Sequence, residues 1–327
     1  MSSSSASQIF LGLDGGGTQV KAGILEAGEL ATADSADLAT RTRTLDTNLE
    51  DGADSFFERL ANFVLETAPR ARVGLGFPGV FDPHSGRLVR SANLRSVEGL
   101  DLGGELARHL DRSPREIPVD NDANLATYGE QWLGAGRGVS DLVMLTLGTG
   151  IGGGIVLGGS IFRGSAGKGA EIGHLIVRGT ESSREEDPAL RCGCGAYGCL
   201  ERLASATAAR HRAARVGLEG ELDVLAERAR ASEGPERDLF HAIGRDLGVG
   251  LLSVNTLLDV STFVIGGGFG AALDVLRPGL LEAYLERDYG GDPPRLIPAE
   301  LGAAAGWIGA ARLAAEAAGY TVVGEAR

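Results

Sequence analysis

Cysteine is scarce in this sequence, and long apolar runs do not occur in it. Three cysteines in 327 residues, with no recognisable export signal, indicate a reducing compartment. The opening residues MSSSSASQ lack the basic and apolar regions of a signal peptide, so we expect a cytoplasmic protein. No stretch of about 20 apolar residues is found, which excludes a transmembrane helix. We therefore expect no membrane partner.

Basic residues are also few, with 31 Lys and Arg against 44 Asp and Glu and a net charge of -13. Nucleic-acid binding needs a concentrated basic surface, so we expect no nucleic-acid partner. A nucleotide is still compatible with this charge, because backbone N–H groups and a metal ion can bind phosphates. The length of 327 residues favours two lobes over a single hydrophobic core.

Glycine, by contrast, is abundant, and its 51 residues cluster in DGGGT, LGTGIGGG, GSAGKG, CGCGAYG and IGGGFG. Clustered glycine between apolar segments indicates loops that bring backbone close to another group. The segments IFLGLDGGGTQVKAGILE and LVMLTLGTGIGGGIVLGG both read as strand, glycine turn and strand. Residues 54–67 have apolar side chains at helical spacing, and residues 203–258 are mostly helical in pattern. Alternating strands and helices predict an α/β protein, with two similar lobes and a cleft between them.

The first glycine turn, Asp14-Gly15-Gly16-Gly17-Thr18, has the composition of an anion-binding loop. Its N–H groups and the Thr18 hydroxyl can bind phosphate, and Asp14 can hold a Mg²⁺-bound water. It is neither a Walker loop nor a dinucleotide fingerprint, and alone it favours a plain tight turn over a phosphate site. Together with the second turn, at residues 147–150, it predicts two loops that hold a triphosphate.

The segment VDNDAN at residues 119–124 lies at a predicted strand-to-helix junction. A carboxylate there can accept the proton of a hydroxyl nucleophile during phosphoryl transfer. The alternative is that Asp120 or Asp122 only caps the helix, a position that Asp and Asn favour.

All three cysteines lie in CGCGAYGC, at positions 192, 194 and 199. They allow a disulfide with one thiol left over, a redox pair, or three metal ligands. A redox pair favours C-x-x-C spacing, which this loop lacks. His174, in EIGH shortly before the loop, completes a Cys₃His set of the kind that binds zinc. We therefore favour a zinc site over redox-active or inert thiols.

The motifs DGGGT, NDAN, LGTGIGGG, EIGH and CGCGAYGCLE occur in an order that resembles the ROK family of bacterial sugar kinases and sugar-responsive repressors. The resemblance extends from about residue 9 to about residue 312. It implies an actin-like, ribonuclease-H-like ATPase fold, ATP with Mg²⁺, structural Zn²⁺, a hexose phosphorylated at its 6-hydroxyl, and a homodimer. In this fold residues 1–120, joined by the C-terminal helix at about 301–327, would form the N-terminal lobe. Residues 121–300 would form the C-terminal lobe with the zinc loop.

The resemblance also implies roles for individual residues. Asp122 matches the catalytic base. The residues that match sugar contacts are Gly79, Asn93, Asn121, Asp122, Glu171, His174 and Glu201. Those that match ATP contacts are Asp14, Gly16, Gly17, Thr18, Lys21, Gly148, Thr149, Gly150, Gly266, Gly267 and Gly268. The zinc ligands are His174, Cys192, Cys194 and Cys199.

We interpret the sequence as that of an ATP-dependent hexose kinase, with glucose as the first expected substrate. Mannose, fructose, N-acetylglucosamine and N-acetylmannosamine are the alternatives, because the family resemblance leaves the hexose open. A non-catalytic sugar sensor or a ROK-type transcriptional regulator is the alternative of a different class. Family regulators carry an additional N-terminal DNA-binding segment, for which the residues before the first predicted strand leave no room. The two phosphate loops and Asp122 favour the enzyme.

Overall fold

The protein is described by a computed structural model that covers residues 8–29, 35–91, 94–178, 187–286 and 292–320. Its strands, in chain order, are β1 Ile9–Gly15, β2 Gln19–Glu26, β3 Arg43–Asp46, β4 Arg72–Phe77, β5 Val80–Phe81, β6 Leu88–Arg90, β7 Val119–Asn121, β8 Leu142–Leu147, β9 Ile151–Leu157, β10 Ser160–Ile161, β11 Thr262–Gly266 and β12 Arg295–Pro298. Its α-helices are α1 Ser35–Thr40, α2 Ala53–Thr67, α3 Leu102–His109, α4 Asp122–Leu133, α5 Leu200–Ala204, α6 Ala206–Arg215, α7 Leu222–Ala231, α8 Pro235–Leu258, α9 Leu273–Leu285 and α10 Ala305–Ala317. None of the helices described is both long and apolar enough to cross a bilayer.

The chain divides into two compact units. Unit 1 comprises residues 1–141, 154–170 and 300–327, and unit 2 comprises residues 142–153 and 171–299. One of the boundaries between the units falls inside β9, and the division differs from the boundary expected after residue 120.

Unit 1 contains a five-stranded sheet in the order β3-β2-β1-β4-β7. Strands β1 and β2 form the predicted antiparallel hairpin, with Asp14 opposite Lys21. Strand β4 runs parallel to both of its neighbours, and it pairs Gly76 with Asp14 on one side and with Asp120 on the other. Because adjacent strands are about 4.8 Å apart, Asp14 and Asp120 lie roughly 10 Å from each other in one row across the sheet.

Helix α4 belongs to unit 1 because it packs against α10 with almost no space between the backbones. A Cβ atom added at Gly129 of α4 would lie 2.3 Å from the Ala305 carbonyl oxygen, and one at Gly309 of α10 would lie 1.8 Å from that of Leu125. Such distances exclude any side chain at the contact. This packing places residues 121–141 in unit 1 instead of the second lobe expected from the sequence.

Helix α2 confirms the amphipathic pattern predicted for residues 54–67. Its buried face consists of Phe56, Phe57, Leu60, Ala61 and Val64, and Phe63 packs at the margin of the same core. Burial of these side chains anchors the helix to the sheet of unit 1.

The second five-stranded sheet has the order β10-β9-β8-β11-β12. Between residues 200 and 258 the chain forms α5 to α8 in succession, as the pattern of residues 203–258 predicts. Helices α8 and α9 pack closely, since a Cβ atom at Gly244 would lie 2.0 Å from the Leu276 carbonyl oxygen.

Candidate active site

The turn of the β1–β2 hairpin is closed by backbone bonds and exposed at its tip. The Gly16 N–H donates to the Gln19 carbonyl at 2.8 Å, and the Thr47 hydroxyl donates to the Gly16 carbonyl at 2.7 Å. A Cβ atom at Gly17 would meet nothing within 4 Å, and Thr18 is exposed. The turn therefore has a fixed base and an open tip that a phosphate can approach.

Asp14 is a half-buried carboxylate at the start of this turn. Burial, and then the negative charge of Asp122, raise its pKa to about 7, and the Lys21 ammonium opposes the shift. Asp14 also lies against the first turn of α10, because a Cβ atom at Gly306 would be 2.4 Å from its carboxyl carbon. The fold thus brings together two carboxylates that are 108 positions apart, and such a pair is a suitable environment for a divalent cation.

At the β7–α4 junction, Asn121 is the N-cap of α4. Its Oδ1 accepts the Asn124 N–H at 3.0 Å, and its Nδ2 donates to the Gly79 carbonyl at 3.0 Å. Asp122 is the first residue of α4, and its Oδ1 accepts the Ala123 N–H at 2.9 Å. The sequence left open that Asp120 or Asp122 only caps the helix. Neither aspartate does so, because the cap is the asparagine between them.

Position 79 requires glycine for structural reasons. Its φ is +142°, and a Cβ atom there would lie 2.5 Å from the Arg90 carbonyl oxygen. This leaves the Gly79 carbonyl in position to fix the Asn121 side chain.

In unit 2 the second glycine turn is held by the start of α6. The Gly148 carbonyl accepts the Ala206 N–H at 2.8 Å, and the Thr149 carbonyl accepts the Thr207 hydroxyl at 2.7 Å. The IGGGFG loop packs directly on the end of β8, since a Cβ atom at Gly267 would lie 2.3 Å from the Leu147 carbonyl oxygen. The loops at residues 148–150 and 266–268, both of which match ATP contacts by family resemblance, therefore lie next to each other.

A cavity of about 430 Å³ opens beside these two loops. Gly148, Thr149 and Gly268 line it together with Leu222 and Ala226 of α7 and with Phe269 of the turn after β11. The charged residues in its lining are Arg210, Glu221, Asp223 and Arg230. Its volume and its lining of apolar side chains, charged side chains and glycine backbone suit a nucleoside next to a phosphate loop.

The four predicted zinc ligands lie together in unit 2. Their donor atoms are all within 4.8 Å of one another. His174 Nδ1 is 3.5 Å from Cys192 Sγ, and Cys194 Sγ is 3.6 Å from Cys199 Sγ. With Zn–S of about 2.3 Å and Zn–N of about 2.1 Å, donors of a tetrahedral site are about 3.5–3.8 Å apart, so the set fits zinc.

The thiols themselves weigh against the redox and disulfide alternatives. All three are free. Burial raises the pKa of Cys199 to about 12 and is also the main cause that raises the pKa of Cys192. A reactive thiol needs a lowered pKa, which only Cys194 has, through the Ala196 N–H. A bound divalent cation, by contrast, deprotonates such thiols.

Glu201 joins the cysteine loop to the second glycine turn. Its Oε2 accepts the Ile151 N–H at 3.1 Å, and its Oε1 lies 3.9 Å from Cys192 Sγ. A Cβ atom at Gly150 would be 2.2 Å from Oε2, so a side chain at position 150 would displace the Glu201 carboxylate. The sequence placed Glu201 near the sugar but gave no sign of its bond to Ile151.

Comparison with known proteins identifies the family that carries these features. The ROK family model matches residues 10–317. The chain belongs to the ROK family. A glucokinase of Thermotoga maritima is 39% identical over 204 residues, which cover 62% of this chain and 58% of that protein. A glucokinase of Halalkalibacterium halodurans is 33% identical over 325 residues, which cover 92% of this chain and 93% of that protein.

Solved ROK structures share the fold. The crystal structure of a ROK family glucokinase from Streptomyces griseus, in complex with glucose and AMPPNP, has a TM-score of 0.71 and 29% sequence identity, and covers 94% of this chain and 99% of that one. The chain therefore has the actin-like ATPase fold of ROK sugar kinases, as its resemblance to the family implied.

The ROK motifs are divided between the two units. Unit 1 holds DGGGT, GFPG and VDNDAN, and unit 2 holds LGTG, EIGH, the cysteine loop and IGGGFG. In EIGH, His174 ends a single 3₁₀ turn, and its Nε2 is 3.8 Å from Glu171 Oε2. Asn93, the remaining predicted sugar contact, lies outside the described residues.

Proposed function

We propose that this ROK protein is an ATP-dependent hexose kinase that converts glucose and ATP to glucose 6-phosphate and ADP. The observation that carries the proposal is the position of Asp122, which begins α4 without capping it and is electrostatically coupled to Asp14. The glucokinase names of its relatives, and the glucose and AMPPNP in the Streptomyces griseus structure, support glucose and ATP as the substrates.

In the proposed reaction, Asp122 acts as the general base. Its carboxylate accepts the proton of the 6-hydroxyl while that oxygen forms a bond to the γ-phosphorus of ATP. The bond from the γ-phosphorus to the bridging oxygen breaks, and that oxygen leaves with ADP. The bond from the Ala123 N–H to Asp122 Oδ1 fixes the orientation of the carboxylate, which keeps the proton acceptor in place.

The nucleotide is assigned to the cavity beside residues 148–150 and 268. The apolar side chains of Leu222, Ala226 and Phe269 would contact the adenine ring of ATP, and N–H groups of the glycine turns would bind its phosphates. Asp14 would hold Mg²⁺, which when bound offsets negative charge on the phosphate oxygens.

The hexose is assigned to Gly79, Asn93, Asn121, Glu171, His174 and Glu201. His174 and the three cysteines would hold a zinc ion, which when bound fixes the conformation of the loop. Because Nδ1 of His174 faces Cys192, Nε2 is the ring nitrogen assigned to a sugar hydroxyl, next to Glu171.

A comparison of kcat/KM for glucose, mannose, fructose, N-acetylglucosamine and N-acetylmannosamine, each with ATP, tests the proposal. We expect glucose to give the highest value. A higher value for another sugar would overturn the choice of glucose, and binding of a sugar without ATP consumption would identify a sensor instead of a kinase. Light scattering on the purified protein tests the homodimer that the family resemblance implies.

A further inference from the structure

Asp120 is a nearly fully buried carboxylate two positions before the proposed base. Its side chain is 4% exposed. Its Oδ1 accepts the Asn121 N–H at 2.7 Å and Asn124 Nδ2 at 3.0 Å. Its Oδ2 accepts Arg163 Nε at 2.6 Å. Asp120 thus connects the end of β7, the first turn of α4 and one distant arginine.

Arg163 is itself held in a fixed position. It follows β10, and its carbonyl accepts the Gly169 N–H at 2.9 Å, which closes the glycine-rich segment after it. Within that segment a Cβ atom at Gly167 would lie 1.7 Å from the Phe81 carbonyl oxygen. The close contact with β5 leaves the segment little freedom, so the arginine approaches Asp120 from a rigid support.

The charge of Arg163 has a specific electrostatic role. Asp14 and Asp122 already interact unfavourably, and Asp120 lies in the same row of the sheet as Asp14. An unpaired buried carboxylate at Asp120 would be costly, and removal of one partner from such a pair displaces the other. Asn121 would move with Asp120, because the two residues are adjacent. Asn121 caps α4 and immediately precedes the proposed base, Asp122.

We propose that Arg163 is a positioning residue for catalysis: through Asp120 it holds the β7–α4 junction so that Asp122 faces the sugar hydroxyl. The assignment rests on the proposed kinase activity. The bond from Arg163 Nε to Asp120 Oδ2 is the contact through which the arginine would act on the junction.

Four variants test the assignment: Arg163→Gln, Arg163→Lys, Asp120→Asn and the double variant Arg163→Gln/Asp120→Asn. Arg163→Gln should lower kcat by about 10- to 100-fold, because displacement of a catalytic group by about 1 Å has effects of that size. The glucose KM should change by less than about threefold, since most sugar contacts are elsewhere. Arg163→Lys keeps the charge and should recover part of kcat.

The double variant distinguishes positioning from general destabilisation. Asp120→Asn removes the carboxylate that Arg163→Gln leaves unpaired, so the double variant should have a higher kcat than Arg163→Gln alone. The matched control is Arg72→Gln. Arg72 forms a half-exposed ion pair with Glu116 at the end of β4 remote from Phe77, which is the residue paired with Asn121, and its loss should leave kcat unchanged.

Kinetics, glucose titration calorimetry and thermal unfolding are measured on the same preparations. Unchanged kcat in folded Arg163→Gln, equal loss in kcat for Arg72→Gln, or a double variant with lower kcat than Arg163→Gln would each overturn the positioning role. A wild-type protein without turnover on any hexose would instead refute the proposed function, so the two failures are distinguishable.

Discussion

Replacement of Asp122 by asparagine separates the chemistry of the carboxylate from its structural role. The amide has the same size and can still accept the Ala123 N–H, but it cannot take up the proton of the sugar hydroxyl. We expect kcat to fall by about 10²–10⁴-fold, the usual contribution of a general base. Glucose affinity should change little. Stability should be unchanged or slightly higher, and the pKa of Asp14 should fall from about 7, because one of the two causes of its shift is the charge of Asp122.

Asp120→Asn is the matched control in the same six-residue segment. It removes the charge that pairs with Arg163 at 2.6 Å, and loss of such a charged hydrogen bond costs about 1.5–3 kcal/mol of unfolding free energy. Its effect on kcat should be about tenfold, from displacement of the junction alone. ADP release measured by a coupled assay, glucose calorimetry and urea unfolding provide the three readouts. If Asp120→Asn abolished turnover while Asp122→Asn remained active, the assignment of the base would be refuted.

Three further predictions concern the cysteine loop, Glu130 and Asp14. Cys194→Ser should lose bound zinc, measured by elemental analysis, and raise the glucose KM by about tenfold; zinc loss with an unchanged KM would separate the loop from the sugar site. Glu130→Ala should lower the unfolding free energy by about 3–5 kcal/mol in urea, because the fully buried carboxylate accepts three backbone N–H groups; a loss under about 1 kcal/mol would contradict this. The folded pKa of Asp14 is raised from 3.8 to about 7, so its ionisation lowers stability as pH rises through that window. Asp14→Asn should therefore gain stability relative to wild type between about pH 4 and about pH 7, by at most about 4 kcal/mol. A pH-independent difference would show that Asp14 is not desolvated.

Much of the site could be predicted from the sequence because its chemistry depends on local patterns. A glycine turn between two apolar runs predicts a hairpin whatever surrounds it, and β1 and β2 have that arrangement. Three cysteines and one histidine define a metal-ligand set by residue type, and their donor atoms do lie together.

The remaining features depend on contacts between distant segments. Arg163 is 43 positions from Asp120 and carries no motif, so only the burial of Asp120 shows that a cation is required there. The placement of α4 in unit 1 depends on backbone contacts at Gly129 and Gly309, and a glycine in a helical pattern does not indicate its partner. The capping role of Asn121 likewise needed the geometry, because all three polar residues of VDND favour helix caps.

The position of the transferred phosphate shows directly whether the protein phosphorylates the 6-hydroxyl of glucose. Glucose and ATP are incubated with the enzyme, and the sugar product is identified by phosphorus NMR, with 6-deoxyglucose as the control substrate. We expect glucose 6-phosphate as the product and no transfer to 6-deoxyglucose. Phosphate on another hydroxyl, or ATP hydrolysis that yields only free phosphate, would contradict the proposed function.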